Sequence, residues 1–313
     1  MSKPIIVGYD PATSDRAPVN FGVAAARFTG APLIIAAASA GAAAADRPGV
    51  GQHDEDLVVD ASDALDAARR ELEPEGIGVE CRELAATSAA RALHELSEAE
   101  DAGLLVVGST RRGAVGRVLP GSTAERLMHG APCPIAIVPP GWETGAGLNT
   151  IGVAYVDSEE GQEALLGGYA LARRAGAALR VLTAVKAGLA LYGETEATTA
   201  GQRGKDFDQV EGELRVRAEE ALRRATDALD GDVAVETDAF VEDPADVLIR
   251  VSENLDLLVC GSRGYGPLRA VMLGGVSRRL TAEARCPVIV VPRGVKASLD
   301  GLMEASPGAA AAG

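Results

Sequence analysis

The residues whose types and spacing suggest chemistry are glycines and hydroxyls, and they occur twice. The first set runs Leu104-Leu105-Val106-Val107-Gly108-Ser109-Thr110-Arg111, then Leu119-Pro120-Gly121-Ser122-Thr123, and closes on Cys133-Pro134-Ile135-Ala136-Ile137-Val138-Pro139. The second runs Leu257-Leu258-Val259-Cys260-Gly261-Ser262-Arg263-Gly264, then Met272-Leu273-Gly274-Gly275-Val276-Ser277, and closes on Cys286-Pro287-Val288-Ile289-Val290-Val291-Pro292. One displacement, 153 residues, relates Gly108 to Gly261, Gly121 to Gly274, Cys133 to Cys286 and Pro139 to Pro292. Glycines let an anion approach backbone N–H groups, and a helix start adds unpaired donors and a dipole contribution of about 0.3–1 kcal/mol per charge. Ser122, Thr123 and Ser277 offer hydroxyl donors; Arg111, Arg112, Arg263 and Arg269 lie in the loops, and a pocket-facing Arg263 would suit a phosphate. A tight strand-to-helix turn explains one such loop equally well. Recurrence in register favours a ligand.

Other chemistries lack their residues. The chain has no GxxxxGK[ST] loop, no GxGxxG after a first strand, no GxSxG elbow and no HExxH pair. His53, His94 and His129 fall on expected helices away from the glycine loops and read as surface or packing residues. Cys81, Cys133, Cys260 and Cys286 stand singly, without a CxxC or Cys/His cluster, and read as reduced core thiols. A net charge of -15 argues against nonspecific binding to nucleic acid or anionic membranes. It does not argue against a phosphate in a pocket, because salt screens charges beyond about 8 Å and the nearest donors decide. With 47% hydrophobic and 24% charged residues, no apolar run of membrane-spanning length and a direct start from Met1-Ser2-Lys3-Pro4 into Ile5-Ile6-Val7, the expectation is a cytoplasmic protein.

The elements that must position these loops alternate β-branched runs with alanine-rich amphipathic stretches, the pattern of an α/β fold with a parallel sheet covered by helices on both faces. At 313 residues the chain suits two domains, expected over 1–140 and 149–294, with a linker at 141–148 and a disordered tail at 295–313. Strands are expected near 5–9, 32–38, 78–84, 103–107 and 134–138, and again near 151–155, 178–184, 233–240, 256–260 and 287–291. Ser14 or Asp15 can cap a helix running to Thr29; Leu57, Ala61, Leu65, Ala68 and Leu72 mark one buried face, and shorter helices are expected near 88–99 and 121–129. In the second half Phe207, Val210, Leu214, Ala218, Ala221, Ala225 and Leu229 keep helical spacing. Tyr9 and Tyr155 are 146 residues apart, so the second half gains residues mid-domain, most plausibly between Lys186 and Lys205.

Ile135–Val138 and Val288–Val291 would be exposed sheet edges if left alone. Pairing them across a pseudo-two-fold axis removes both edges, so docking of the two domains is expected; a covering helix is the alternative. In such sheets ligands sit outside the carboxyl ends of the strands where strand order reverses, flanked by the first and fourth strands. Gly8-Tyr9-Asp10-Pro11 follows the first strand, and the Asp10 carboxylate could accept hydrogen bonds from a ribose or adenine.

At these residues the chain resembles the universal stress protein family in its tandem, two-domain form. Nucleotide-binding members of that family carry Gly, two residues, Gly, nine residues, Gly, then Ser or Thr. Gly261, Gly264 and Gly274 match; Gly275 stands where Ser or Thr is expected, and Val276 and Ser277 continue in the family manner. In the first half Gly108, Gly121 and Ser122 match, and Arg111 replaces the second glycine. The resemblance covers nearly all of residues 4–293. It implies five parallel strands per domain in the order 3-2-1-4-5, ATP or a related adenine nucleotide with or without Mg as ligand, pairing through the fifth strands with a homodimer as a further option, and a stress-linked regulatory role. It also implies an aspartate after the first strand for the adenosine end. Asp10 fits, whereas the second half has Val156 there and Asp157 one residue later, which in a strand points to the opposite face. Ala38 and Ala184, where the second strands end, complete the nucleotide-binding candidates. Two other readings stay open. One is a slow ATP hydrolase or phosphotransferase, for which no positioned base or carboxylate pair for Mg²⁺ is evident. The other is an interaction module whose pockets have degenerated, given Arg111, Val156 and Gly275. The second copy, with all three glycines, is expected to be the better phosphate site.

Overall fold

The computed structural model describes residues 2–11, 13, 15–39, 61–73, 78–109, 122–128, 130–143, 145, 147–186, 200–262 and 275–292. The chain divides into two compact units, Met1–Ala146 and Gly147–Arg293. Unit 1 runs β1 (Ile5–Tyr9), α1 (Ala17–Thr29), β2 (Leu33–Ser39), α2 (Ala61–Leu72), β3 (Val79–Ala85), α3 (Ala89–Ala99), β4 (Leu104–Gly108), α4 (Ser122–Leu127) and β5 (Ile135–Val138). Unit 2 runs β6 (Thr150–Ala154), α5 (Glu159–Ala175), β7 (Ala178–Ala184), α6 (Ala200–Thr226), β8 (Val235–Phe240), α7 (Pro244–Val251), a 3-10 turn at Ser252–Asn254, β9 (Leu257–Gly261), α8 (Gly275–Glu283) and β10 (Val288–Val291).

The strand order is β3-β2-β1-β4-β5 in unit 1 and β8-β7-β6-β9-β10 in unit 2. Within each unit every pairing is parallel. The central strands are buried on both faces, which is why they read as continuous apolar runs: Ile5, Ile6 and Val7 of β1 and Leu105 and Val106 of β4 are fully buried. The outer strand β3 instead alternates, and its Arg82 pairs with Glu80 and Glu100.

Two pairs of glycines set how the first helix of each unit lies on its sheet. A methyl group built at Gly22 would lie 2.3 Å from Val7 Cγ2, and one at Gly168 would lie 2.3 Å from Val153 Cγ2. Only glycine permits so close a helix-to-strand approach. Gly30 and Gly176 end these helices in the left-handed conformation, at φ 72° and 64°. At the other end of α1 the Asp15 carboxylate accepts from Ala17 N at 3.0 Å and Gly141 N at 3.2 Å, joining the helix start to the segment after β5.

The long helix buries part of its expected face and adds Leu222 to it. Its described buried side chains are Ala218, Leu222 and Ala225, with Leu222 almost wholly enclosed, while Ala221, Val210 and Leu214 are only half-buried. The helix ends at Thr226, and Leu229 lies in the turn beyond it. Packing on β7 and β8 selects the stripe, and alanine spacing alone could not choose between neighbouring positions. The helix also begins at Ala200, so the end of the stretch expected as an insertion is helical. Leu57, His53, His129, residues 187–199 and the tail 295–313 lie outside the described residues.

Candidate functional site

In each unit the chain winds outward from the first strand and returns on its other side, so order reverses between β1 and β4 and between β6 and β9. The carboxyl ends of those strands are the places where a ligand fits such a sheet. In unit 1 the chain leaves β1 through Asp10, which is exposed, and turns at once because Thr13 donates its N–H at 3.1 Å and its hydroxyl at 3.0 Å to the Asp10 carbonyl. The Arg16 guanidinium lies 5.4 Å from the Tyr9 ring centroid and pairs with Glu71 of α2. β4 ends at Gly108, and Ser109 continues the pairing by donating its N–H to Val138 O at 2.9 Å. α4 then begins at Ser122.

Unit 2 repeats this frame with different side chains. Ser262, like Ser109, donates its N–H to the last residue of its neighbouring strand, Val291, at 2.8 Å. After β6, Tyr155 is buried and its N–H reaches Leu182 O at 2.8 Å. The next turn is tight: Ser158 caps α5 by accepting from Gly161 N at 3.1 Å, and a methyl group at Gly161 would lie 1.8 Å from the Val156 carbonyl oxygen. Val156 is thereby held over the helix start. Asp157 points elsewhere, 75% exposed and 3.9 Å from Arg224 of α6. Burial, and then the Asp157 charge, push the Tyr155 phenol upward.

The anchor glycines have a structural reason of their own. A methyl group at Gly108 would lie 3.1 Å from Pro18 Cγ, and one at Gly261 would lie 3.0 Å from both Cβ and O of Glu160. Pro18 and Glu160 are each the second residue of the first helix of their unit. The first glycine of each motif therefore admits the start of that helix against the fourth strand. Gly275 is different: among the described residues nothing lies within 4 Å of a methyl group built there.

A charged network flanks the same edge of unit 2. Asp243 caps α7, accepting from Ala245 N at 3.1 Å, and receives Lys186 Nζ at 3.0 Å. Arg279 of α8 reaches Asp243 at 3.4 Å, Asp246 at 2.7 Å and Glu283 at 3.6 Å. The Lys186 hydrogen bond is the main cause holding the Asp243 carboxyl below its usual range. Sequence reading missed this network; Asp243-Pro244 was a legible helix start, but nothing in the sequence paired it with Arg279.

The structure brings Asp10, Ala38, Gly108 and Thr123 to the ends or connections of β1, β2 and β4 in unit 1, and Asp157, Ala184, Gly261, Gly275 and Val276 to the corresponding places in unit 2. Ala38 is half-buried and Ala184 fully buried. Ser122 and Ser277 lie on α4 and α8, and their side chains are outside the described set. Arg111, Gly121, Arg263, Gly264 and Gly274 lie outside the described residues. His94 is on α3, 3.6 Å from Glu98. Among the described residues no group of three or more His, Cys, Asp or Glu could hold a metal ion, and no helix is long and apolar enough to cross a membrane.

Two such units, each reversing at its first and fourth strands, meet a family model over most of the chain: that of the universal stress protein family matches residues 1–139 and again 147–292. The chain belongs to the universal stress protein family. Among relatives of known sequence, a universal stress protein of Mycobacterium tuberculosis is 29% identical over 196 residues, covering 61% of this chain and 62% of its own length. The chain thus spans less than two thirds of that relative. A shorter universal stress protein of Mycolicibacterium smegmatis is 31% identical over 140 residues, covering 44% of this chain and 97% of its own. The crystal structure of a universal stress protein from Archaeoglobus fulgidus superposes with a TM-score of 0.61 at 17% identity, covering 94% of this chain and 97% of its own, which shows a shared fold.

Proposed function

We propose that this universal stress protein binds an adenine nucleotide, ATP first among them, at the carboxyl ends of β1 and β4 and of β6 and β9, and that nucleotide occupancy serves a regulatory role in a stress response in the cytoplasm. The observation that carries the reading is the start of α8. It follows the fourth strand of unit 2 at the reversal point, and its first residue, Gly275, has no neighbour among the described residues within 4 Å of where a side chain would stand. In a parallel sheet a helix leaving a strand's carboxyl end presents its unpaired N–H groups at that edge, where an anion gains from both donors and dipole. Asp10 supplies an exposed carboxylate beside the corresponding place in unit 1, suited to ribose hydroxyls. A magnesium ion would arrive with the nucleotide, held by its phosphates and water. Pairing of the two domains through the short apolar strands β5 and β10 belongs to the same proposal, with a homodimer as an alternative assembly.

The test is the nucleotide content of freshly purified full-length protein, followed by calorimetry with ATP. Two ATP per chain support both sites, one supports a single competent site, and none by either measurement sinks the reading. Gly264→Arg, which copies Arg111 of the first sequence motif into the second, is expected to weaken the second site; unchanged affinity there would count against the phosphate assignment. Steady-state phosphate release above that of a site variant would instead favour a slow hydrolase.

A further inference from the structure

The two units differ in what holds the helix that follows the glycine loop. In unit 2, Arg279 lies on the second turn of α8 and reaches across to the first turn of α7, at 3.4 Å from Asp243 and 2.7 Å from Asp246, while Glu283 on its own helix stands 3.6 Å away. Asp243 is itself fixed, as the cap of α7 and as the partner of Lys186, which follows β7. In unit 1 the cap of α3 is Ser88 and the third residue after it is Arg91, where unit 2 has Asp243 and Asp246. The first turn of α3 holds no acidic residue, and Arg91 pairs with Glu95 on its own helix at 2.8 Å. Arg126 occupies the place on α4 that Arg279 occupies on α8, so the arginine is present in both units but the carboxylates are present in one.

We infer that the Arg279–Asp243–Asp246 clamp is a positioning device for the second nucleotide site: it holds α8 so that the backbone N–H groups at its start are already set for an anionic ligand, whereas the first turn of α3 in unit 1 offers no carboxylate to Arg126. This rests on the nucleotide reading given above. The residues touch no part of the expected ligand. They act through the helix, by removing the cost of ordering its first turn when a phosphate arrives. Lys186 extends the device to β7, whose end at Ala184 is the candidate adenine side, so one ionic chain runs from the end of β7 through the α7 cap to α8.

The experiment uses the full chain carrying Asp10→Asn, which weakens the first site, and compares Arg279→Gln and Arg279→Lys, with Arg180→Gln, which removes the ion pair between β7 and Asp238 of β8, as the control for stability alone. ATP affinity is read by calorimetry, and the amide hydrogen exchange of residues 275–278 by mass spectrometry in the absence of ligand. Arg279→Gln is expected to weaken ATP binding about 5-fold, the scale of losing an exposed ion-pair network, and to accelerate exchange at 275–278. Arg279→Lys is expected to recover affinity to within about twofold and Arg180→Gln to leave it unchanged, which loss of stability alone would not do. Equal affinity in Arg279→Gln and its parent, or equal weakening in Arg180→Gln, overturns the inference. If the parent binds no ATP, the nucleotide reading fails; exchange then decides the clamp alone, with unchanged exchange overturning it and faster exchange keeping α8 as the held element for another anion.

Discussion

Replacing Gly108, Gly261 and Gly275 separates those that pack from the one that stands beside the expected phosphate. In Gly261→Ala the new methyl group lies 3.0 Å from Cβ and O of Glu160 and 3.1 Å from its carbonyl carbon. Ordinary contacts between such atoms are about 3.5–4.0 Å, so the first turn of α5 must retreat by about half an ångström. The obstacle is backbone, which cannot rotate aside. Overpacking of this kind costs about 1–3 kcal/mol, and the loss of unfolded-state freedom on replacing glycine returns about 0.4–1 kcal/mol, leaving a net loss of about 1–2 kcal/mol. For a domain of this size that corresponds to a fall in melting temperature of about 2–8 °C. Gly108→Ala meets Pro18 Cγ at 3.1 Å and is expected to lower stability similarly, in unit 1. The single tryptophan, Trp142, packs edge-on against Phe21 at 5.4 Å and provides a fluorescence signal from unit 1, so that change can be followed beside circular dichroism of the whole chain. Among the described residues Gly275→Ala meets nothing within 4 Å, and it sits at a helix start, so stability should hold or rise by up to about 1 kcal/mol. ATP affinity in that variant should stay within about twofold, because nucleotide-binding members of the family carry a side chain at this place, whereas Gly275→Ser, which supplies their hydroxyl donor, should raise affinity about fivefold. Undiminished stability in Gly261→Ala would refute the packing argument. Unchanged affinity in Gly275→Ser would refute the placement of the phosphate.

Asp10→Asn is expected to lower ATP affinity at the first site about tenfold, in line with loss of hydrogen bonds to a charged acceptor, while thermal stability changes by less than about 0.5 kcal/mol; calorimetry and a melting curve check both. Asp243 is held below its usual range chiefly by Lys186, so its contribution to stability is complete above the unfolded value of about 4 and disappears as pH falls through the lower folded value. Lys186→Met should therefore move the acid-unfolding midpoint to higher pH, and an unmoved midpoint would contradict the pairing. Burial pushes the thiols of Cys133, Cys260 and Cys286 up to about 12, so all three should resist iodoacetamide at about pH 8 in the folded protein and react once urea unfolds it. Labelling of any of them at the rate of a free thiol, seen by mass spectrometry of the peptides, would show that the strands carrying them open.

Much of the fold was legible because both sides of a buried parallel sheet demand the same residues. The runs Ile5–Val7, Leu104–Val107 and Ile135–Val138 could be nothing but enclosed strands, and the left-handed ends of α1 and α5 were marked by Gly30 and Gly176. The long helix was legible in existence and, at Ala218 and Ala225, in facing, but alanines at neighbouring positions left Leu222 to be added to the buried stripe by packing on β7 and β8. The candidate site was legible as a repeat: Gly108 with Gly261, and Gly121 with Gly274, at a single displacement. The sequence by itself determined the duplication, the fold class and the edge of the sheet at which to look, because local pattern and strand periodicity are properties of neighbours along the chain. Tertiary structure decided which glycine does what. Gly108 and Gly261 face the second residue of a helix roughly 90 to 100 positions away in sequence, and Gly275 faces none of the described residues. It also decided that Asp157 turns toward Arg224 and that Arg279 finds two carboxylates where Arg126 has none on the first turn of α3. Contacts across such distances depend on how helices settle on a sheet, which no spacing along the chain records.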